Sequence, residues 1–134
     1  MNAIFDSNIF IGALHARDEH SKKSIELLQK FNAGTIRKII ITNYVLLETV
    51  NFLLRKATPQ VAREAHIFLT QTDRITIIHV DRLMSARINI LFEKYSLSLT
   101  DCSLIALAEL EKLQAIHSFD KDFDKVKEVK RLAS

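Results

Sequence analysis

Four acidic residues occupy positions from which carboxylates can act together: Asp6, Glu48, Asp101 and Asp120. Asp6 directly follows the short apolar segment Asn2–Phe5, and Asp120 follows a second apolar segment, Ala115–Ser118. Glu48 lies among Val45, Leu46, Leu47, Val50 and Phe52, and Asp101 follows Ser98 by three residues. Carboxylates gathered in one pocket repel and raise each other's pKa values, and a divalent cation reverses that penalty. Mg²⁺ or Mn²⁺ suits an all-oxygen ligand set. Such an ion lowers the pKa of coordinated water and offsets charge building on a phosphate. An acidic, cation-filled cleft on a mildly basic chain therefore suits hydrolysis of phosphodiester bonds, with Asp6 and Asp101 as metal ligands. Glu48 and Asp120 would complete the site or orient the attacking water.

Each acid also has an ordinary structural role open to it. Asp6 can cap a helix beginning near Asn8. Glu48 falls with Asn51 and Arg55 at helical spacing, as in a solvated stripe. Ser98 and Asp101 have the spacing of a capping box. Asp120, Asp122 and Asp124 alternate with Lys121 and Lys125, as in a solvated turn. Their joint placement after several strands, more than any one of them, carries the catalytic reading.

The elements that must position these acids follow from patterning. Asn2–Phe5 reads as a strand ending in the polar triplet Asp6-Ser7-Asn8, and Ile9–Leu14 as a short helix. Asp18–Ala33 reads as a helix with Ile25, Leu28 and Phe31 at three-residue spacing and Gly34 as its stop. Ile39-Ile40-Ile41 marks a buried strand over 38–41. Asn43–Lys56 is so apolar that a mostly buried helix is expected. Thr58-Pro59 opens a helix to Thr72 as cap and first residue. Ile75–Val80 is a strand, Asp81 caps a helix to Tyr95, and Ser98 opens another to about Leu113. Ala115–Ser118 is a short strand, Asp120–Lys125 a polar turn, and Glu128–Leu132 a last edge strand. Strands alternating with helices predict a three-layer α/β/α sandwich with a mainly parallel sheet. In such sheets a site lies beyond the carboxyl ends of the strands.

Composition bounds the alternatives. The 134 residues are one domain's worth, so residues 1–134 are read as a single domain. Hydrophobic residues make up 48% and charged residues 26%, which is ordinary globular composition. The net charge of +3 and a pI near 9.1 permit an acidic partner such as RNA without demanding one. Two glycines, Gly12 and Gly34, cannot supply a glycine-rich phosphate loop. One cysteine, Cys102, excludes an internal disulfide, and packing is the better reading for it. The five histidines form no zinc-binding pair, and no GxSxG is present. No apolar run is long enough to span a membrane and no signal peptide is visible, so a cytoplasmic setting is expected.

The segments FDSNIF at 5–10, ITNYVLLETVNFLL around Glu48, LTDCSLIALA at 99–108 and HSFDKDF at 117–123 resemble the PIN-domain family. They resemble most closely its short stand-alone members of the VapC toxin type, in order and spacing along essentially the whole chain. The resemblance implies a Mg²⁺- or Mn²⁺-dependent endoribonuclease on a parallel α/β/α sandwich. It implies metal-binding acids at Asp6 and Asp101, further catalytic acids at Glu48 and Asp120, and a supporting hydroxyl at Ser118. It also implies a small antitoxin partner and a homodimer. An RNA-processing nuclease that is not a toxin, or a catalytically silent binding module of the same fold, would share these residues. Two other acid-based chemistries fit less well. A phospho-acceptor domain needs adjacent acids after the first strand, and a haloacid-dehalogenase-like phosphatase needs Asp-x-Asp, where this chain has Asn8.

Overall fold

The structure, a computed structural model, describes residues 1–15 and 17–133. In chain order the elements are β1 (Asn2–Ile4), α1 (Ser7–Leu14), α2 (Ser21–Asn32), β2 (Lys38–Thr42), α3 (Asn43–Lys56) and α4 (Pro59–Gln71). They continue with β3 (Ile75–Ile78), α5 (Arg82–Tyr95), α6 (Leu99–Glu111), β4 (Ala115–His117), a 3₁₀ turn (Lys121–Lys125) and β5 (Lys130–Leu132).

Every strand pairing is parallel. β2 lies between β1 and β3, with Ala3 opposite Ile39 and Ile40 opposite Thr76. β4 pairs with β5, and a single parallel bridge between Phe5 and His117 ties this pair to the end of β1. The Asp6 N–H donates to the His117 carbonyl at 2.9 Å across that junction. The architecture is the α/β/α sandwich expected from the alternation of elements. Helices cover the strands, so Ile39, Ile40 and Ile41 are all at most 1% exposed. A parallel strand covered on both faces reads as a continuous β-branched run for this reason.

Helix starts obey local chemistry. Thr42, Thr58, Asp81 and Ser98 each accept a backbone N–H from the first turn of α3, α4, α5 and α6 respectively. Gly34 follows α2 at φ 87°, a left-handed conformation that costs glycine little.

Several expectations shift. α2 begins at Ser21, not Asp18, because the Asp18 carboxylate turns to accept the His20 N–H at 2.8 Å. Its buried face is Ser24, Leu27 and Phe31, and Ile25 is exposed. β3 ends at Ile78, since the Val80 N–H donates to Asn43 Oδ1 and leaves the ladder. β5 begins only at Lys130, because Glu128 is engaged by the Tyr95 hydroxyl and by Lys94. The largest departure is α3, which was expected to be mostly buried. Only Val45, Thr49 and Leu53 are buried, while Leu47 and Leu54 are more than half exposed.

Candidate active site

Three of the four acids follow strand ends along the carboxyl edge. Asp6 lies two residues beyond β1, and its carboxylate caps α1 by accepting the Ser7 N–H at 2.7 Å. Asp120 follows β4 and caps the 3₁₀ turn by accepting the Asp122 N–H at 2.9 Å. Glu48 projects from α3, which starts directly at the end of β2. Asp101 stands in the first turn of α6, where its N–H is held by Ser98 Oγ at 3.0 Å. The capping roles open to Asp6 and to Ser98 are therefore realised, and Asp120, read as part of a solvated turn, caps that turn. They also place these acids within electrostatic reach of one another.

The coupling is visible in the acidities of Asp6 and Asp101. Asp6 is 2% exposed, and burial pushes its carboxyl up to about 6. Hydrogen bonds from Ser118 and Ser7 pull it down, and the charges of Glu48 and Asp120 push it up again. Asp101 is pushed up to about 7, first by burial and then by the charges of Asp6 and Asp120. A hydrogen bond to Ser98 opposes that shift, and Glu48 adds to it. The cleft thus resists holding its negative charges without a compensating cation. Its donors are all carboxylate or hydroxyl oxygens, the chemistry of a Mg²⁺ or Mn²⁺ site. Among the described residues no three of His, Cys, Asp and Glu stand close enough together to form ready-made ligands of one ion.

Three uncharged side chains organise the acids. Ser118 is fully buried at the end of β4. Its hydroxyl donates to Asp6 Oδ2 at 2.7 Å and accepts the Asp120 N–H at 3.0 Å and Asn8 Nδ2 at 3.2 Å. One donor and two acceptor positions exhaust what a hydroxyl offers. Asn8 Oδ1 accepts the Phe119 N–H at 3.2 Å, which fixes the amide orientation, and Nδ2 then reaches Asp6 Oδ2 at 3.2 Å. The Ser7 hydroxyl donates to Glu48 Oε1, tying α3 to α1. Ser118 was expected from the resemblance. Ser7 and Asn8 were read only as turn residues, and their polar types beside Asp6 were the signal available for a larger role.

The surroundings are structural. His117 ends β4, packs edge-on against Phe5 at 5.2 Å, and is pushed down to about 4, chiefly by burial. Cys102 is buried in α6 and its thiol is pushed up to about 11, which suits packing and not nucleophilic attack. Arg131 pairs with Asp124 at 2.8 Å and donates to the Ser118 carbonyl at 3.2 Å, bracing the loop that carries Asp120.

Parallel strands covered by helices, with acids gathered at their carboxyl edge, define an α/β protein with a candidate site of carboxylates. Residues 3–129 match the PIN-domain family, and the chain belongs to it. A search of curated proteins gave no match. Among solved structures the chain is similar to VapC20 of Mycobacterium tuberculosis, described as a sarcin-ricin loop cleaving toxin. That likeness has 18% identity and a TM-score of 0.83, over 96% of this chain and 97% of the other. It is also similar to a chain of a toxin–antitoxin complex from Klebsiella pneumoniae, at 22% identity and TM-score 0.64, with 96% of each chain covered. A third likeness is to VapBC2 of Rickettsia felis, solved with a DNA fragment from its promoter, at 18% identity and TM-score 0.68, with 98% of each chain covered. These likenesses concern the fold.

Proposed function

We propose that the chain is a VapC-type endoribonuclease that hydrolyses RNA phosphodiester bonds with a divalent cation, and that it acts as the toxin of a toxin–antitoxin pair. The observation that carries the reading is the gathering of buried Asp6 and Asp101 with Glu48 and Asp120 at one edge of the strands, where neighbouring carboxylate charges add to burial in pushing Asp6 and Asp101 up. Buried acids held beside further carboxylates are poorly explained by helix capping alone. They are well explained by a cation site.

In this reading Asp6 and Asp101 hold Mg²⁺ or Mn²⁺, with Glu48 and Asp120 completing the set. The bound ion would supply positive charge to the phosphate and raise the acidity of a coordinated water. Ser118 and Asn8 hold Asp6 Oδ2 and the Ser7 N–H holds Oδ1, so the carboxylate is fixed in one orientation at the end of β1. Ser7 restrains Glu48, which is placed to accept a proton from attacking water. The carboxylates must close on the ion, since no ready-made ligand cage exists among the described residues.

The same reading assigns residues 1–134 to one working PIN unit in the cytoplasm. Among the described residues no helix is long and apolar enough to cross a membrane. The partners are an RNA substrate, a small antitoxin and a second copy of the chain. Exposed apolar side chains support protein partners: Leu54 and Ile67 flank a groove between α3 and α4, and Leu83 and Leu110 lie beside another between α5 and α6. A mixed RNA pool incubated with purified chain in Mn²⁺ should be shortened, and an EDTA arm should leave it intact. An intact pool in both arms, from folded protein free of partners, would refute the nuclease reading and favour a silent binding module.

A further inference from the structure

Tyr44, Glu48, Asn51 and Arg55 recur at spacings of four, three and four residues along α3, so they form one stripe about 16 Å long. Glu48, Asn51 and Arg55 are exposed, as a solvated stripe requires, and Tyr44 is half-buried. With the exposed Leu47 the stripe lines a shallow depression of about 280 Å³ whose other side includes Thr100, the neighbour of Asp101. Tyr44 is also a wall of a second depression, of about 500 Å³, bordered by Arg82, Ser85 and Asn89 beyond the end of β3. The two depressions adjoin at the Tyr44 ring, and together they extend from Glu48 to the residues beyond the end of β3.

The chemistry of that groove is specific. Arg55 and Arg82 are exposed, and among the described residues neither makes an ion pair, whereas Arg87 and Arg131 are both paired with carboxylates. Asp81, which also borders the second depression, is engaged in capping α5 through the Met84 N–H at 2.9 Å. Tyr44 is partly buried against the core, which holds its ring in place while one part faces the groove. Two unpaired guanidinium groups separated by an anchored aromatic ring suit a single strand of nucleic acid. Phosphates take the guanidinium groups, a base stacks on the ring, and Asn51 and Thr100 offer hydrogen bonds to base or sugar. Leu47 and Val80 offer apolar contact to a base or a protein segment alike, and the two arginines favour the phosphates of a nucleic acid.

We infer that this groove binds the RNA strand on one side of the cut, with Arg55 and Arg82 on phosphates and Tyr44 under a base. The inference rests on the nuclease reading for the position of the cut, but the binding claim can be measured without it. Affinity for a short, labelled single-stranded RNA is read by fluorescence anisotropy in EDTA over a range of salt, in an Asp101→Asn background that removes one charge from the cleft. Cleavage of the same RNA in Mn²⁺ is read in the native background.

Arg55→Gln with Arg82→Gln should reduce the slope of log affinity against log salt by about 1.4, the loss of two single-strand phosphate contacts. Tyr44→Leu should weaken binding by roughly 5-fold or more, while Tyr44→Phe, which keeps the ring, should bind like the parent. In cleavage the same changes should raise KM more than they lower kcat. Unchanged affinity and salt slope in folded variants would overturn the groove assignment and leave the surface to an acidic protein segment, even if the native chain cuts RNA. Weakened binding by a chain that never cuts RNA would uphold the groove and refute the nuclease reading instead.

Discussion

Ser118 Oγ donates a hydrogen bond to Asp6 Oδ2 at 2.7 Å, joining residues 112 positions apart in the chain. The same oxygen receives the Asp120 N–H and the Asn8 amide. One buried hydroxyl therefore fixes the ends of β1 and β4 against each other at the point where their acids emerge. Replacing Ser118 with Ala should lower metal-dependent RNA cleavage by about 10- to 100-fold, the usual effect of removing a group that orients a ligand. It should also cost about 1–3 kcal/mol of stability, because Asp6 loses a buried donor. Cleavage assays and denaturant unfolding check both. Native activity in a folded Ser118→Ala chain would contradict the positioning role.

Asp101 gives a prediction with a definite sign. Its carboxyl is pushed from 3.8 to about 7 in the folded chain. Below about pH 4 it is protonated both folded and unfolded, so burial carries no charge penalty. As pH rises toward 7 the unfolded chain ionises first, and the folded state loses stability through that window. Asp101→Asn carries no such charge. In EDTA it should melt several degrees above the native protein at pH 8, and the gap should close below pH 4. His117, pushed down to about 4, acts in the opposite direction on acidification, but it is common to both proteins and cancels in the difference. Mn²⁺ at pH 8 should narrow the gap by stabilising the native chain. A gap independent of pH would show that Asp101 carries no burial penalty.

The packing of α1 on α2 makes a third prediction. A Cβ added at Gly12 would lie 3.0 Å from Ser24 Cβ and closer still to its Oγ, a buried hydroxyl without a hydrogen-bond partner among the described residues. Gly12→Ala should destabilise by about 1–3 kcal/mol through overpacking. Ser24→Ala should be nearly neutral, since it removes an unsatisfied buried group. The double variant should recover part of the loss, because the Oγ clash is gone. Additive effects in thermal unfolding would mean that the two residues do not meet.

Local chemistry was legible in the sequence. The Ile39–Ile41 run, the caps at Thr58, Asp81 and Ser98, and the stop at Gly34 each depend on residues close by in the chain, and each appears as read. The placement of Asp6 after β1 and Asp120 after β4 follows from the same reasoning. Side-chain partnerships across the fold were not legible. Nothing near Ser7 or Asn8 announces that one reaches Glu48 and the other spans Asp6, Ser118 and Phe119. The apolar excess of α3 was misread as depth. Leu47 and Leu54 lie outside its buried stripe of Val45, Thr49 and Leu53, Leu47 lining the depression beside Glu48 and Leu54 the groove against α4, so hydrophobicity there reports exposed surface and not depth.

The most direct test compares the native chain with Asp6→Asn and Asp101→Asn on the same RNA pool, in Mn²⁺ and in EDTA, after circular dichroism has shown all three folded. The account requires cleavage by the native chain only, in Mn²⁺ only. At least about a hundredfold loss is expected in either variant, since each removes a carboxylate from the cation site. Equal cleavage by the native chain and either variant, or cleavage that survives EDTA, would contradict the assignment of Asp6 and Asp101 as the centre of a metal-dependent nuclease.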